Sequence, residues 1–295
     1  MPDSITTAFV QEFKGTVDLL LQQAGSRFPQ AVTSDSYVGK QASVVEQFGP
    51  AVAQKKTGRH SDTPLLDLPQ AKRWVFPSDF EWASLIDTQD RLRMIVDPTS
   101  PYAVNGANAM ARAKDDEIIG ALFATAKVGE NGTTDEAFDT TNFQVGVNVG
   151  GTASSLNVAK LQTALRMLMG AYKGEVTEPI WCAISSFEHD ALLKEIQVTS
   201  KDFNGGSPVL VDGRIRRFMG MDFLITERLT ISGGNRLIPC WTATGMHLGI
   251  WEDINPQISV RDDKSYAWQV YLSETIGATR LQQGKVIQIL ADDQI

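Results

Sequence analysis

Ile5, Phe9, Phe13, Val17, Leu20 and Leu21 recur at spacings of three and four, with Ser4 placed to cap and Gly25 to stop, and so predict a helix over residues 5–24. Such a helix has one apolar stripe that must be laid on something. From Phe28 to Phe80 the helical period disappears. Short alternating runs, Ser43 to Phe48 and Arg73 to Phe76, are separated by Gly39, Gly49-Pro50, Gly58, Pro64, Pro69 and Pro77, and read as extended arms and hairpin strands. Connections inside a compact domain run to about 4 to 6 residues, so an excursion of roughly 50 needs a purpose. Trp82, Leu85, Ile86, Leu92 and Ile95 predict a helix over 81–96, ended by Asp97-Pro98. Ser100-Pro101 then opens a long helix over 102–127, about 40 Å at 1.5 Å per residue. Val104, Ala107, Ala111, Ile118, Leu122 and Ala126 share one of its sides.

Further on, Phe143 to Val149 alternates like a strand with one buried face. Leu156 to Tyr172 returns to the helical period and stops at Gly174. Pro179 to Ile184 is a continuous apolar run, which predicts a strand covered on both faces. Ser185 and Glu188 have the spacing of a capping box for a helix through Ile196. Residues 198–214 read as loop, and from Met221 to Leu290 short strands dominate. Helices and strands do not alternate regularly, so the predicted class is α+β rather than a doubly wound parallel sheet.

Composition narrows the function. The 295 residues, 42% of them hydrophobic, suffice for a large core or two linked ones. Acids outnumber bases 35 to 27, a net charge of −8 that opposes tight binding of free nucleic acid. The two cysteines, Cys182 and Cys240, cannot form a disulfide framework or a structural zinc site and read as core residues in a reducing compartment. No apolar stretch approaches the 18 or so residues of a membrane span, and the first residues lack the pattern of a secretory signal.

Charge is unevenly spread. Between 40 and 73, six bases (Lys40, Lys55, Lys56, Arg59, Lys72, Arg73) face three acids. Between 97 and 139, eight acids, among them Asp115, Asp116 and Glu117, face three bases. Catalytic patterns are missing: no Gly-rich phosphate loop, no HExxH, and three scattered histidines, His60, His189 and His247. The sequence therefore nominates no catalytic, metal or cofactor residues. The acidic trio reads first as a solvated helix face, and the six tryptophans as core and interface packing.

One order of parts stands out: an amphipathic arm, a long extended basic excursion, a short helix, a long helix, an α/β segment and closing strands. Particular stretches carry it: Asp3-Ser4-Ile5-Thr6-Thr7-Ala8-Phe9-Val10-Gln11-Glu12-Phe13, Arg59-His60-Ser61-Asp62-Thr63-Pro64, Asp97-Pro98-Thr99-Ser100, Ala111-Arg112-Ala113-Lys114-Asp115-Asp116-Glu117-Ile118-Ile119, and Gly277-Ala278-Thr279-Arg280 followed by Val286 to Leu290. Over nearly its whole length the chain resembles the major capsid proteins of tailed bacteriophages, the Hong Kong 97-type fold.

The resemblance implies an N-terminal arm over 1–30, an extended E-loop over 31–80, a peripheral domain over 81–150 and 246–284 with its spine helix at about 101–127, and an axial domain over 151–245 and 285–295. It implies a non-enzymatic shell of hexamers and pentamers around double-stranded DNA, with a portal protein at one vertex, assembly in the host cytoplasm, no membrane and no cofactor. A start directly on the arm implies a separate scaffolding protein or none; decoration proteins are a further partner. The inter-subunit candidates are Phe9, Phe13 and Val17 on the arm, Lys55, Lys56, Arg59, Lys72 and Arg73 on the excursion, and Asp115, Asp116 and Glu117 on the spine. An encapsulin-type nanocompartment shell is the alternative of the same fold, and a cytosolic enzyme with an unrecognised carboxylate site the alternative of another class.

Overall fold

The computed structural model describes residues 22–49, 51–53, 55, 58, 70–86, 99–149, 152–199, 210–211 and 213–292. In chain order its main elements are β1 (Thr33–Ser36), β2 (Ala42–Phe48), β3 (Gln70–Val75), β4 (Ser78–Ile86), α1 (Thr99–Phe123), β5 (Ala126–Val128), β6 (Thr134–Glu136), β7 (Gln144–Val145), α2 (Val158–Tyr172), β8 (Ile180–Ile184), α3 (Ser186–Leu193), β9 (Met221–Ile225), β10 (Asn235–Thr242), β11 (Met246–Arg261), β12 (Ala267–Arg280) and β13 (Val286–Asp292). The class is α+β. The described residues fall into two compact units, one of 22–26, 79–114 and 252–275, the other of 27–78, 115–251 and 276–292.

In the larger unit a mixed sheet runs β9, β8, β10, β13, β7. β9 is parallel to β8, β10 is antiparallel to both β8 and β13, and β7 is parallel to β13. Ile184, Ile238, Ile287 and Ile289 belong to one buried cluster with Leu161, Ala164 and Leu168 of α2. The sequence dictates that helix locally. The Asn157 side chain accepts the Lys160 N–H at its start, and Lys173, at φ 53°, turns the chain out at its end. The capping box read in the sequence is formed: the Ser185 hydroxyl accepts from the Glu188 backbone and the Glu188 carboxylate from the Ser185 backbone at 3.1 Å. Cys182 and Cys240 sit opposite each other on β8 and β10, fully buried.

A second, antiparallel sheet in this unit runs β2, β3, β5, β6. Its hairpin β2–β3 pairs Phe48 with Gln70, so the chain leaves and returns at one place. β1 is parallel to β11, with Thr33 opposite His247 and Ser36 opposite Ile250.

In the smaller unit β12 lies between β11 and β4. Gly106 of α1 is buried against this sheet: a β-carbon there would come within 2.2 Å of Leu272 Cδ1 and 2.6 Å of Trp82 Cε3. The glycine is a notch that lets the helix backbone close on the two side chains. On the same helix the Lys114 ammonium reaches the fully buried Glu274 carboxylate at 2.6 Å and Asp253 at 3.2 Å.

Three expectations are corrected. Residues 78–86 form a strand, not the start of a helix over 81–96; Phe80, Trp82, Ser84 and Ile86 alternate with exposed Asp79, Glu81, Ala83 and Leu85. Trp82, Leu85 and Ile86 satisfy a helical spacing by coincidence, whereas the period of two is what the sheet uses. The long helix ends at Phe123, where the chain turns into β5, instead of continuing to 127. The strand expected over 143–149 shrinks to Gln144–Val145. The predicted arm helix over 5–24 lies outside the described residues, except 22–24, which are not helical.

Candidate assembly surfaces

The basic excursion and the acidic helix segment are the features that point beyond a single chain, and the structure sorts their members. Phe9, Phe13, Val17, Lys56 and Arg59 lie outside the described residues. Lys55 is exposed and Lys72 half-buried on β3. Arg73, next to it, is buried, and its guanidinium lies 2.5 Å from Glu136 on β6. Burial alone would raise the Glu136 carboxyl; hydrogen bonds from Arg73 and Gln283 bring it below its ordinary value. Arg73 thus has an intramolecular task.

A second buried guanidinium lies near the first. Arg280 Nη1 donates to the carbonyl oxygens of Leu122 at 2.7 Å and Ala124 at 2.9 Å, closing the C-terminal end of α1. Burial, with the like charge of Arg73, lowers its pKa to about 10. Its cation also sits 5.1 Å over the Phe138 ring.

The acidic trio divides three ways. Asp115 is fully buried, and its carboxylate accepts the Arg27 N–H at 3.0 and 3.1 Å and the Phe28 N–H at 3.2 Å. Phe28 in turn stacks on Trp241, whose indole donates to Ala31 O at 2.8 Å. Asp115 therefore pins the chain at the foot of the excursion. Asp116 is exposed and takes a two-pronged contact from Arg228, Nε to Oδ1 at 2.5 Å. Glu117 is half-buried; burial raises its carboxyl above the ordinary value, and the Ala278 N–H opposes this only in part. It lines a cavity of about 280 Å³ together with Gly120, Ala121, Ala124 and Ala278.

His247, absent from the sequence-level candidates, anchors the other end of the excursion's first strand. Its Nδ1 lies 3.0 Å from Thr33 Oγ1 and its Nε2 2.9 Å from Tyr37 Oη. A lone histidine among strands gave no signal. Arg27, Arg228 and Arg280 were equally silent, because each meets its partner at least 88 residues away along the chain.

Among the described residues no group of three or more His, Cys, Asp or Glu side chains is placed to hold a metal ion. Nor is any described helix long and apolar enough to cross a membrane.

Comparison with known proteins gives the frame for these surfaces. No curated protein matches the chain in sequence. The model of the phage capsid protein family matches residues 5–293. Among solved structures, the capsid of the cyanophage P-SCSP1u is similar at a TM-score of 0.74 and 14% identity, over 97% of this chain and 94% of that one. The Mycobacterium phage Che8 chain is similar at 0.68 and 16%, over 95% and 97%. The cyanophage Pam1 capsid is similar at 0.69 and 13%, over 99% and 98%. These structures share the fold, which is of the Hong Kong 97 type. The chain belongs to the phage capsid protein family, as a major capsid protein that forms a phage head shell.

Proposed function

We propose that this protein builds an icosahedral shell of hexamers and pentamers around the double-stranded DNA of a tailed bacteriophage, assembled in the cytoplasm of the bacterial host. The observation that carries the reading is the family match over residues 5–293. In this reading 1–30 is the N-arm, 31–80 the E-loop, 81–150 with 246–284 the peripheral domain, and 151–245 with 285–295 the axial domain. A portal protein occupies one vertex, and scaffolding and decoration proteins are separate partners where present. The role is structural rather than catalytic.

The net charge of −8 suits enclosure: a strongly basic lining would hold packaged DNA through released counterions, whereas an acidic protein contains it without gripping it. Contacts between copies fall to Phe9, Phe13 and Val17, to Lys55, Lys56, Arg59 and Lys72, and to Asp116 and Glu117 at the acidic stretch of α1. Complementary charge there sets register and pairing more than raw affinity.

Negative-stain microscopy of the purified full-length protein tests the reading. Hexamers, tubes or closed shells are the expected result, and a monomer or dimer at every concentration, turning over a substrate, rejects it. Reversing Lys55, Lys56 and Arg59 to glutamate lowers particle yield; an unchanged yield removes the excursion from the contact.

A further inference from the structure

Cys182 of β8 and Cys240 of β10 face each other as the last pair of an antiparallel ladder that also joins Trp181 to Trp241 and Ile180 to Thr242. The rung beyond Thr242 fixes what kind of pair they form. The Ala243 N–H donates to Pro179 O at 3.1 Å, so Ala243 and Pro179 are a hydrogen-bonded pair. Such pairs alternate with non-hydrogen-bonded ones, which makes Trp241–Trp181 hydrogen-bonded and Cys240–Cys182 not. In that second kind the Cα atoms stand about 4.5 Å apart and the side chains are at their closest. A disulfide spans Cα separations of about 4.4 to 6.8 Å. The backbone register therefore already supplies a spacing that a bond between the two sulfurs can use.

The side chains point the same way. Both cysteines are fully buried, and the Cys182 thiol makes a hydrogen bond with Cys240, whose own thiol lies 3.7 Å from Met221 Sδ on β9. The two sulfurs are thus in contact but not bonded. Pro239, next along β10, has no N–H for a further rung to Ala183, and the β8–β10 ladder stops at the cysteine pair. A covalent bond there would hold the end at which the two strands part.

We propose that Cys182 and Cys240 are the site of a cross-strand disulfide that closes after folding and staples the mixed sheet of the larger unit. The inference adds a covalent modification to the shell reading and needs no second copy. Its oxidant is a small peroxide. One sulfur attacks the peroxide: an S–O bond forms, the O–O bond breaks, and the departing oxygen leaves as water with the thiol proton. The second sulfur then displaces the sulfenic oxygen, so that S–S forms, S–O breaks and a second water carries off the second proton. Two thiols are oxidised, and one peroxide is reduced to two waters. Burial leaves little thiolate and slows the reaction, and the same burial shuts out a bulkier dithiol reductant once the bond is made. In the proposed role the chain is made in a reducing cytoplasm, where the pair stays open, and is released into oxidising surroundings, where it closes.

The test treats purified full-length protein, first fully reduced, with hydrogen peroxide in native buffer. The peroxide is destroyed with catalase, and the chain is then unfolded in excess alkylating reagent and weighed by mass spectrometry. The expected product is lighter by two hydrogens, takes up no alkyl group, and yields on digestion a peptide pair joined through Cys182 and Cys240. The bond closes a loop over residues 183–239, so the melting temperature of the treated protein rises by about 5 to 10 °C. Cys182→Ala and Cys240→Ala, treated alike, each keep the melting temperature of their own untreated form, which separates the staple from any cost of the substitution. Cysteines that still alkylate after treatment overturn the proposal. So does oxygen gained on either cysteine or on Met221 in place of the lost hydrogens, or a linkage found only between copies. A joined pair with no rise in melting temperature also overturns the staple.

Discussion

The Tyr37 hydroxyl lies 2.9 Å from His247 Nε2, and the proton inventory of the neighbours fixes which of the two donates. Thr33 Oγ1 gives its one hydrogen to Met246 O at 2.9 Å, so towards His247 Nδ1 it acts only as an acceptor. His247 Nδ1 therefore carries a proton, and in the neutral ring, which burial favours, Tyr37 donates to Nε2. Burial lowers the His247 pKa below 6.5, the nearby Asp35 carboxylate opposing in part. For a base lowered in this way the unfolded chain binds more protons. The stabilisation is complete above pH 6.5 and is lost as the pH falls from there towards the lower folded value. Thermal melts at pH 7.5 and pH 5 are expected to differ less in His247→Gln than in wild type, by about 1.4 kcal/mol for each unit of depression. Equal slopes in the two proteins would reject the neutral clamp.

Asp115→Ala leaves three backbone contacts to Arg27 and Phe28 without an acceptor in a fully buried place. A loss of about 2 to 3 kcal/mol is expected, with Asp115→Asn between the variant and wild type because it keeps one oxygen. Chemical denaturation of the unassembled chain measures both.

Two glycine-to-alanine changes in helices have opposite signs. At Gly106 the new methyl meets Leu272 and Trp82 at under 3 Å, which overrides the helix preference for alanine and lowers the melting temperature. At Gly170 of α2 nothing lies within 4 Å, and alanine is expected to stabilise by about 0.5 to 1 kcal/mol. Paired melting curves of the single variants decide the matter.

The thiols of Cys182 and Cys240 are closed to reagents. The hydrogen bond with Cys240, together with burial, pushes the Cys182 thiol well above its ordinary range. In the native protein both are expected to react with an aromatic disulfide only at the rate of unfolding, and both at once in denaturant. A fast phase in native buffer would contradict their placement at facing positions of β8 and β10.

Local signals in the chain were legible where the physics is local. The Ser185–Glu188 box and the apolar run Ile180 to Ile184 depend on neighbours within a few residues, and each forms as its spacing predicts. Trp82, Leu85 and Ile86 misled because spacings of three and four fit a helix, whereas in the strand Leu85 faces away from Trp82 and Ile86, and pairing with β12 selects that period of two. The acidic trio showed as a charge cluster, but its division was hidden. Whether an acidic side chain holds the backbone of a distant segment, clasps an arginine or meets a single backbone N–H depends on Arg27, Arg228 and Ala278, brought there by the fold.

The pairing of Phe48 with Gln70 also acts as a tether of known length. Both ends of residues 49–69 are held side by side, so whatever path those residues take, their farthest point lies within about 35 Å of the ladder, half the contour at full extension. Lys55, seven residues out, is confined to about 25 Å. For the proposed contact between copies through the excursion, this radius limits how far apart two neighbours can stand. Shortening the excursion would therefore tighten the permitted spacing before it weakened any single contact.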